Sequence, residues 1–149
     1  MAARSWSTQR RLSLAAALVL MAAAAAAQQQ PAAPAPAGRG NFGANFTGTV
    51  AVQATEGTNM SRIRFDAGAR TNWHVHTAPQ ILLIEEGRGR WQEQGDVVKE
   101  LPMGQPVLTK PNVPHWHGAA PDQAAVQFSV YAGKLEWQKP VTDAEYKGK

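Results

Sequence analysis

The chain predicts an all-β fold, a closed barrel or a double-sheet sandwich that ends in a short helical turn. Several short segments alternate apolar and polar residues, the period of a half-buried strand. Turn formers are frequent, with Gly 13 and Pro 10 among 149 residues. No strand pattern is followed by a helical pattern of the kind a parallel βαβ unit needs, so the strands pair antiparallel.

The elements follow in order. Residues 46–54 read as the first strand. In residues 60–65, Ser61, Ile63 and Phe65 share one face and Arg62 and Arg64 the other. The first face turns inward and the arginines face water. Residues 66–68 make a turn, and residues 80–85 form an apolar strand that Gly87 breaks. Residues 88–94 and 97–101 flank Gly95-Asp96, a tight hairpin signal. A short strand at 106–109 is followed by a turn at 110–114, and residues 124–131 form the last long strand. Thr142-Asp143-Ala144-Glu145 matches a capping box, which predicts one short helical turn. Trp91 packs in the hairpin. Trp73 and Trp116 pack on the strand face opposite the neighbouring histidines. Glu85-Glu86 reads as a solvated strand end.

The N-terminus reads differently. Arg4, Arg10 and Arg11 precede an uncharged apolar run at 12–27, and Ala25-Ala26-Ala27 offers a small-residue cleavage site before Gln28. That is the layout of a signal peptide over residues 1–27. The run is shorter than the roughly 20 residues of a spanning helix. The expectation is an exported protein, periplasmic or secreted, with no stable membrane anchor after cleavage. Residues 28–40 are Gln, Pro, Ala and Gly with one arginine, a composition that predicts a disordered linker. Residues 41–149 form the single folded domain.

Charge and cysteine content exclude several functions. The pI near 9.8 comes from 15 Lys+Arg against 11 Asp+Glu, but three arginines lie in the leader, which leaves 12 and a net of +1. No basic patch with interleaved aromatics remains, so nucleic acid is not an expected partner. The absence of cysteine rules out disulfides, thiolate metal sites and a cysteine nucleophile.

All 4 histidines lie in two tripeptides, His74-Val75-His76 and His115-Trp116-His117. Residues two apart on a strand share a face, so each tripeptide can aim two imidazoles at one point. A divalent first-row metal takes three or four such donors. Gln80 can add an amide oxygen from the start of the next strand.

The spacing of Gly68, His74, His76, Gln80 and Gly87 resembles the first cupin motif, with Gln80 where a Glu is usual. Gly104, Lys110, Asn112 and His115 resemble the second. Here Lys110 replaces the usual Pro, Asn112 the usual Gly and Ala119 the usual terminal Asn; Asn tolerates the left-handed backbone the Gly position demands. The resemblance extends further. Phe46-Thr47-Gly48-Thr49-Val50, Gly68-Ala69-Arg70-Thr71-Asn72-Trp73-His74, His115-Trp116-His117-Gly118-Ala119-Ala120-Pro121 and the tail around Glu136-Trp137 and Val141-Thr142-Asp143-Ala144-Glu145-Tyr146 are similar to small bacterial cupins that include manganese-dependent (R)-hydroxynitrile lyases. It spans residues 42–146.

The resemblance implies a cupin β-barrel, a double-stranded β-helix of jelly-roll type. It implies one divalent metal, Mn before Fe, Co, Ni or Zn, held by His74, His76, Gln80 and His115. It implies metal-dependent lyase chemistry on a small organic hydroxyl or carbonyl compound. The lyases carry a histidine base in the last long strand, where this chain has Gln127, and an amide takes up no proton at neutral pH. Either His117 moves the proton, a metal-activated water does, or the reaction is another one. His117 is then the acid/base candidate. Thr71 and Gln127 are candidates to hydrogen-bond the substrate, with Ser61, Ile63 and Tyr131 shaping its pocket. The alternatives are an iron-dependent cupin oxygenase and a non-catalytic periplasmic module that holds a small molecule. Related cupins form dimers or tetramers, so a homo-oligomer is expected.

Overall fold

The computed structural model describes residues 43–149. The segments expected as a signal peptide (1–27) and a linker (28–40) lie outside the described residues, as do positions 41 and 42.

A 3-10 turn at Gly43–Asn45 leads into twelve strands: β1 (Phe46–Thr47), β2 (Val50–Ala54), β3 (Met60–Phe65), β4 (Arg70–Thr71), β5 (His74–His76), β6 (Gln80–Gly87), β7 (Gly89–Glu93), β8 (Lys99–Leu101), β9 (Val107–Leu108), β10 (His115–Ala119), β11 (Ala125–Tyr131) and β12 (Leu135–Trp137). One helical turn, α1 (Asp143–Tyr146), follows. The strands form two antiparallel sheets. One runs β1-β4-β10-β5-β12, with β7 along the other side of β10 and β8 beyond it; the second runs β2-β3-β11-β6-β9. They close a barrel around Ile63, Phe65, Leu82, Ile84, Trp91 and Leu101.

Most expected elements fall where alternation places them. β3 occupies residues 60–65, with Ile63 and Phe65 buried. Its arginine face is only partly wet: Arg62 lies 2.5 Å from Glu85 and 3.5 Å from Glu86, so these carboxylates form an ion-paired strand end. Thr142 and Glu145 make both bonds of the capping box. Asn112 takes the left-handed conformation, at φ 59°.

Several expected bounds shift by a residue or two, and three larger departures stand out. Residues 46–54 form two strands in two sheets, because Gly48 turns the chain at φ 83° against Ala69. The Gly95 hairpin has a loop of residues 94–98 instead of a two-residue turn; Val98 packs on the cluster of Trp73, Trp116, Val141 and Tyr146, which draws the second arm away. β12 was not foreseen: its three residues sit between Gly133 and Gln138, too few to show a period, and they pair with β5.

The outer face of the β5/β10 sheet is covered by the C-terminal segment. The guanidinium groups of Arg70 and Arg90 pack on the Tyr146 ring, 4.6 and 5.2 Å from its centroid. Its hydroxyl donates to the Ala119 carbonyl at 2.7 Å, and Arg70 donates to Asp143 and to the Val141 carbonyl.

Gly87 ends β6 at φ 76°, where a Cβ would lie 1.9 Å from the Ala124 carbonyl oxygen. Nearby, the β6–β11 register shifts between Val126 and Gln127, a bulge that re-aims the strand. Gly87→Ala should therefore cost at least about 2 kcal/mol of unfolding free energy, at the upper end for a strained backbone site. Gly57→Ala, also at positive φ but with open space, should lose about 1 kcal/mol. Urea denaturation of the two variants checks the difference; equal losses would contradict the close approach.

Candidate metal centre

β5 and β10 run antiparallel, with His115 opposite His74. The period of two turns His74 and His76 inward from β5, and His115 and His117 inward from β10. All four are buried. The same alternation sends Trp73 and Trp116 outward to the cluster beneath α1.

Three imidazoles converge. Ring nitrogens of His74, His76 and His115 all lie within 4.8 Å of one another. The ring centroids of His74 and His115 are 4.4 Å apart, and those of His74 and His76 5.2 Å. His117 stands outside this group of three, 5.2 Å from His74 by ring centroid. Gln80 reaches in from the start of β6. Its Oε1 lies 2.7 Å from His115 Nε2, and its Nε2 donates to Ser129 Oγ at 2.8 Å.

Backbone carbonyls orient the rings. His74 Nδ1 is 3.0 Å from the Asn72 carbonyl and His115 Nδ1 is 3.1 Å from the Val113 carbonyl. Each carbonyl holds the ring proton on Nδ1 and leaves the Nε2 lone pair facing the centre. Burial lowers the pKa of every one of these rings. His74 falls to about 3, with His115 adding repulsion, and His76 to about 4; His115 is lowered and His117 lies well below the ordinary value. The rings are neutral at pH 7.

The donor set fits a cation on two counts. A neutral His115 carries one ring proton but faces two oxygens, Val113 O and Gln80 Oε1. Once Nδ1 donates to Val113, the Nε2 lone pair points at an oxygen lone pair, an arrangement a shared cation would stabilise. His76 buries both ring nitrogens without any hydrogen-bond partner, and a buried polar group without a partner is costly. Three imidazoles and an amide oxygen suit Mn²⁺, Fe²⁺, Co²⁺, Ni²⁺ or Zn²⁺.

A cavity of about 230 Å³ opens above the group. His74, His76, Gln80, His117 and Thr71 form its floor, and Phe46, Val52, Ile63, Tyr131, Leu135 and Trp137 its walls, with Ser61 and Ser129 also lining it. Tyr131 leans over His76 at 4.4 Å and Trp137 over His74 at 4.9 Å. No Asp, Glu, Lys or Arg lines the cavity.

The remaining candidates take distinct places. Thr71 accepts from the His117 backbone N–H at 3.1 Å and lines the cavity. Gln127 is fully buried and does not line the cavity; its Oε1 lies 3.1 Å from His117 Nδ1, so it orients that ring instead of facing a ligand. Residue spacing missed Ser129, which holds the Gln80 amide, and the carbonyls of Asn72 and Val113. An inward position two residues after Gln127 could have pointed to Ser129. Carbonyl orientation leaves no trace in residue type.

Known proteins resemble the chain in sequence and in fold. The cupin domain model matches residues 61–131. The (R)-mandelonitrile lyase of Granulicella tundricola is 37% identical over 112 residues, covering 68% of this chain and 86% of the lyase. The chain belongs to the cupin family. A crystal structure of a cupin-like protein from Thermotoga maritima matches this cupin with a TM-score of 0.69 at 37% identity, covering 76% of this chain and 92% of that one. A cupin 2 conserved barrel domain protein from Rhodopseudomonas palustris matches in fold, with a TM-score of 0.50 at 19% identity over 70% of this chain and 74% of that one.

Neutral buried histidines make the metal-free protein acid-sensitive. The unfolded chain protonates His74 and His76 near pH 6.5, whereas the folded chain resists until about 3 and about 4. The unfolded state therefore binds more protons between these values, and stability falls as pH drops. The slope should approach about 1.4 kcal/mol per pH unit for each ring. It begins near pH 6.5 and flattens for His76 below about 4. Urea denaturation of the chelator-treated protein from pH 7.5 to 4.5 measures it; a flat profile would mean that the rings titrate alike in both states.

Proposed function

We propose that this cupin binds one divalent cation, manganese by preference, through His74, His76, Gln80 and His115, and that it cleaves or forms small neutral hydroxynitriles. The observation that carries the reading is the convergence of three buried imidazoles beneath an uncharged, aromatic-walled cavity. The similarity to a mandelonitrile lyase supports the substrate class. Without a charged side chain in its wall, the cavity suits a neutral molecule better than a free carboxylate.

Lewis-acid polarisation of the substrate's hydroxyl or carbonyl oxygen is the chemistry a cation held there supplies. The chain's own residues do the rest. Phe46, Trp137 and Tyr131 hold the flat apolar part of the substrate and keep water out. Thr71 orients an oxygen with its hydroxyl. Gln127 keeps the His117 proton on Nδ1, so His117 Nε2 is the atom that receives the hydroxyl proton as the carbon–cyanide bond breaks. Cyanide leaves with the bonding pair and regains that proton from His117 Nε2, giving hydrogen cyanide and the carbonyl compound.

Gln127 favours a second reading, a module that retains a small ligand without turning it over, because the amide itself takes up no proton. In either reading residues 1–27 direct export to the periplasm or beyond. Ile81, Met103 and Leu108, exposed around β6 and β9, support a homo-oligomer.

Elemental analysis of purified protein should find one divalent metal per chain, lost in His74→Ala and His115→Ala; full retention in both variants would refute the site. Mn²⁺-loaded protein should cleave mandelonitrile above background. His117→Ala should lower kcat by about 10²-fold or more while retaining the metal. Tight ligand retention with no turnover under any of Mn, Fe, Co or Ni would favour the binding module.

A further inference from the structure

One carboxylate faces the barrel interior beside these donors. Glu93 ends β7, and its partner on β10 is His115. On β7 the inward residues Gly89, Trp91 and Glu93 are buried, and Arg90 and Gln92 between them are partly exposed. Residues directly opposed on one face of an antiparallel pair bring their Cβ atoms within about 5.5 Å. Glu93 thus sits next to the His115 side chain without joining the three-imidazole group. Among the described residues it is the buried acid.

Lys110 serves both Glu93 oxygens. Its backbone N–H donates to Oε1 at 2.8 Å, and its ammonium lies 2.9 Å from Oε2. This explains a lysine where the motif usually has proline, since proline has no N–H to give. The pair is asymmetric: the Lys110 side chain is 70% exposed and that of Glu93 4%. Water screens the ammonium far more than the carboxylate. Burial works to raise the Glu93 pKa, but Lys110 and His115 hold it below the usual carboxylate range.

The proposed donors are all neutral, so a divalent cation among them keeps both charges uncompensated by its ligands. We propose that Glu93 is the outer-sphere counter-charge of the metal site, a positioning residue that acts through His115 and replaces the carboxylate the donor set lacks. This rests on the metal reading of His74, His76, Gln80 and His115.

The test is a titration of the full chain with Mn²⁺ against a chelator at pH 8, read by the signal of free Mn²⁺. Glu93→Gln keeps an acceptor for the Lys110 N–H and removes the charge; its Mn²⁺ affinity should fall about tenfold. Lys110→Met keeps the backbone N–H and removes the screening ammonium, so it should bind Mn²⁺ as tightly as the parent or more tightly. Unchanged affinity in Glu93→Gln overturns the proposal. So does a loss in Lys110→Met that matches the loss in Glu93→Gln, which would make the pair a structural staple. If Glu93→Gln does not fold, Lys110→Met decides alone: weaker binding overturns the proposal, and equal or tighter binding supports it. A parent chain that takes up no divalent cation overturns the metal reading beneath it, a result distinct from all of these.

Discussion

The alternation of β5 and β10 governs the rest of the molecule. With His115 opposite His74, a period of two forces imidazoles to the inside and indoles to the outside. Burying four imidazoles would be prohibitive if they were charged, so the interior must keep them neutral and give their nitrogens partners. The carbonyls of Asn72 and Val113 meet part of that demand. The outward indoles create a second demand, an apolar cover. Val141 and Tyr146 supply it from a tail that the Thr142 capping box and Arg70 fix in place.

The sheets divide the labour. The β5/β10 sheet carries the imidazoles, and the opposite sheet supplies Gln80, Gln127 and Ser129, which orient them or extend their donor set. Each inward polar side chain from β6 and β11 finds a partner on a histidine or on another member of the network. Gln127 Nε2 is the exception, a buried donor with no acceptor. The bulge beside it, where the register shifts between Val126 and Gln127, shows the strand bent away from ideal pairing at this point.

Legibility in the sequence followed the length of each pattern. β3 could be read because six residues suffice to show alternation, and α1 because Thr142 and Glu145 form a motif with its own chemistry. The split between β1 and β2 was hidden, since Gly48 interrupts an apolar run whose alternation survives the turn. The histidines were legible as a cluster because strand geometry alone makes His-x-His convergent. The roles of Gln127 and Glu93 were not. One lies behind His117 and the other beside His115, and both depend on cross-strand neighbours that no local pattern encodes.

The distance along the chain between the donors bears on how the protein comes together. Gln80 and His115 meet across 35 residues, and β10 reaches β5 only after the β6, β7, β8 and β9 segments have been laid down. Contacts this remote in sequence form late, because loop closure must precede them. An ion that needs both halves of the site finds little to hold during early collapse. Its effect should fall on the rate at which the finished barrel opens, with little acceleration of its assembly. The folded protein would then gain persistence from a bound cation, and no help in reaching the fold.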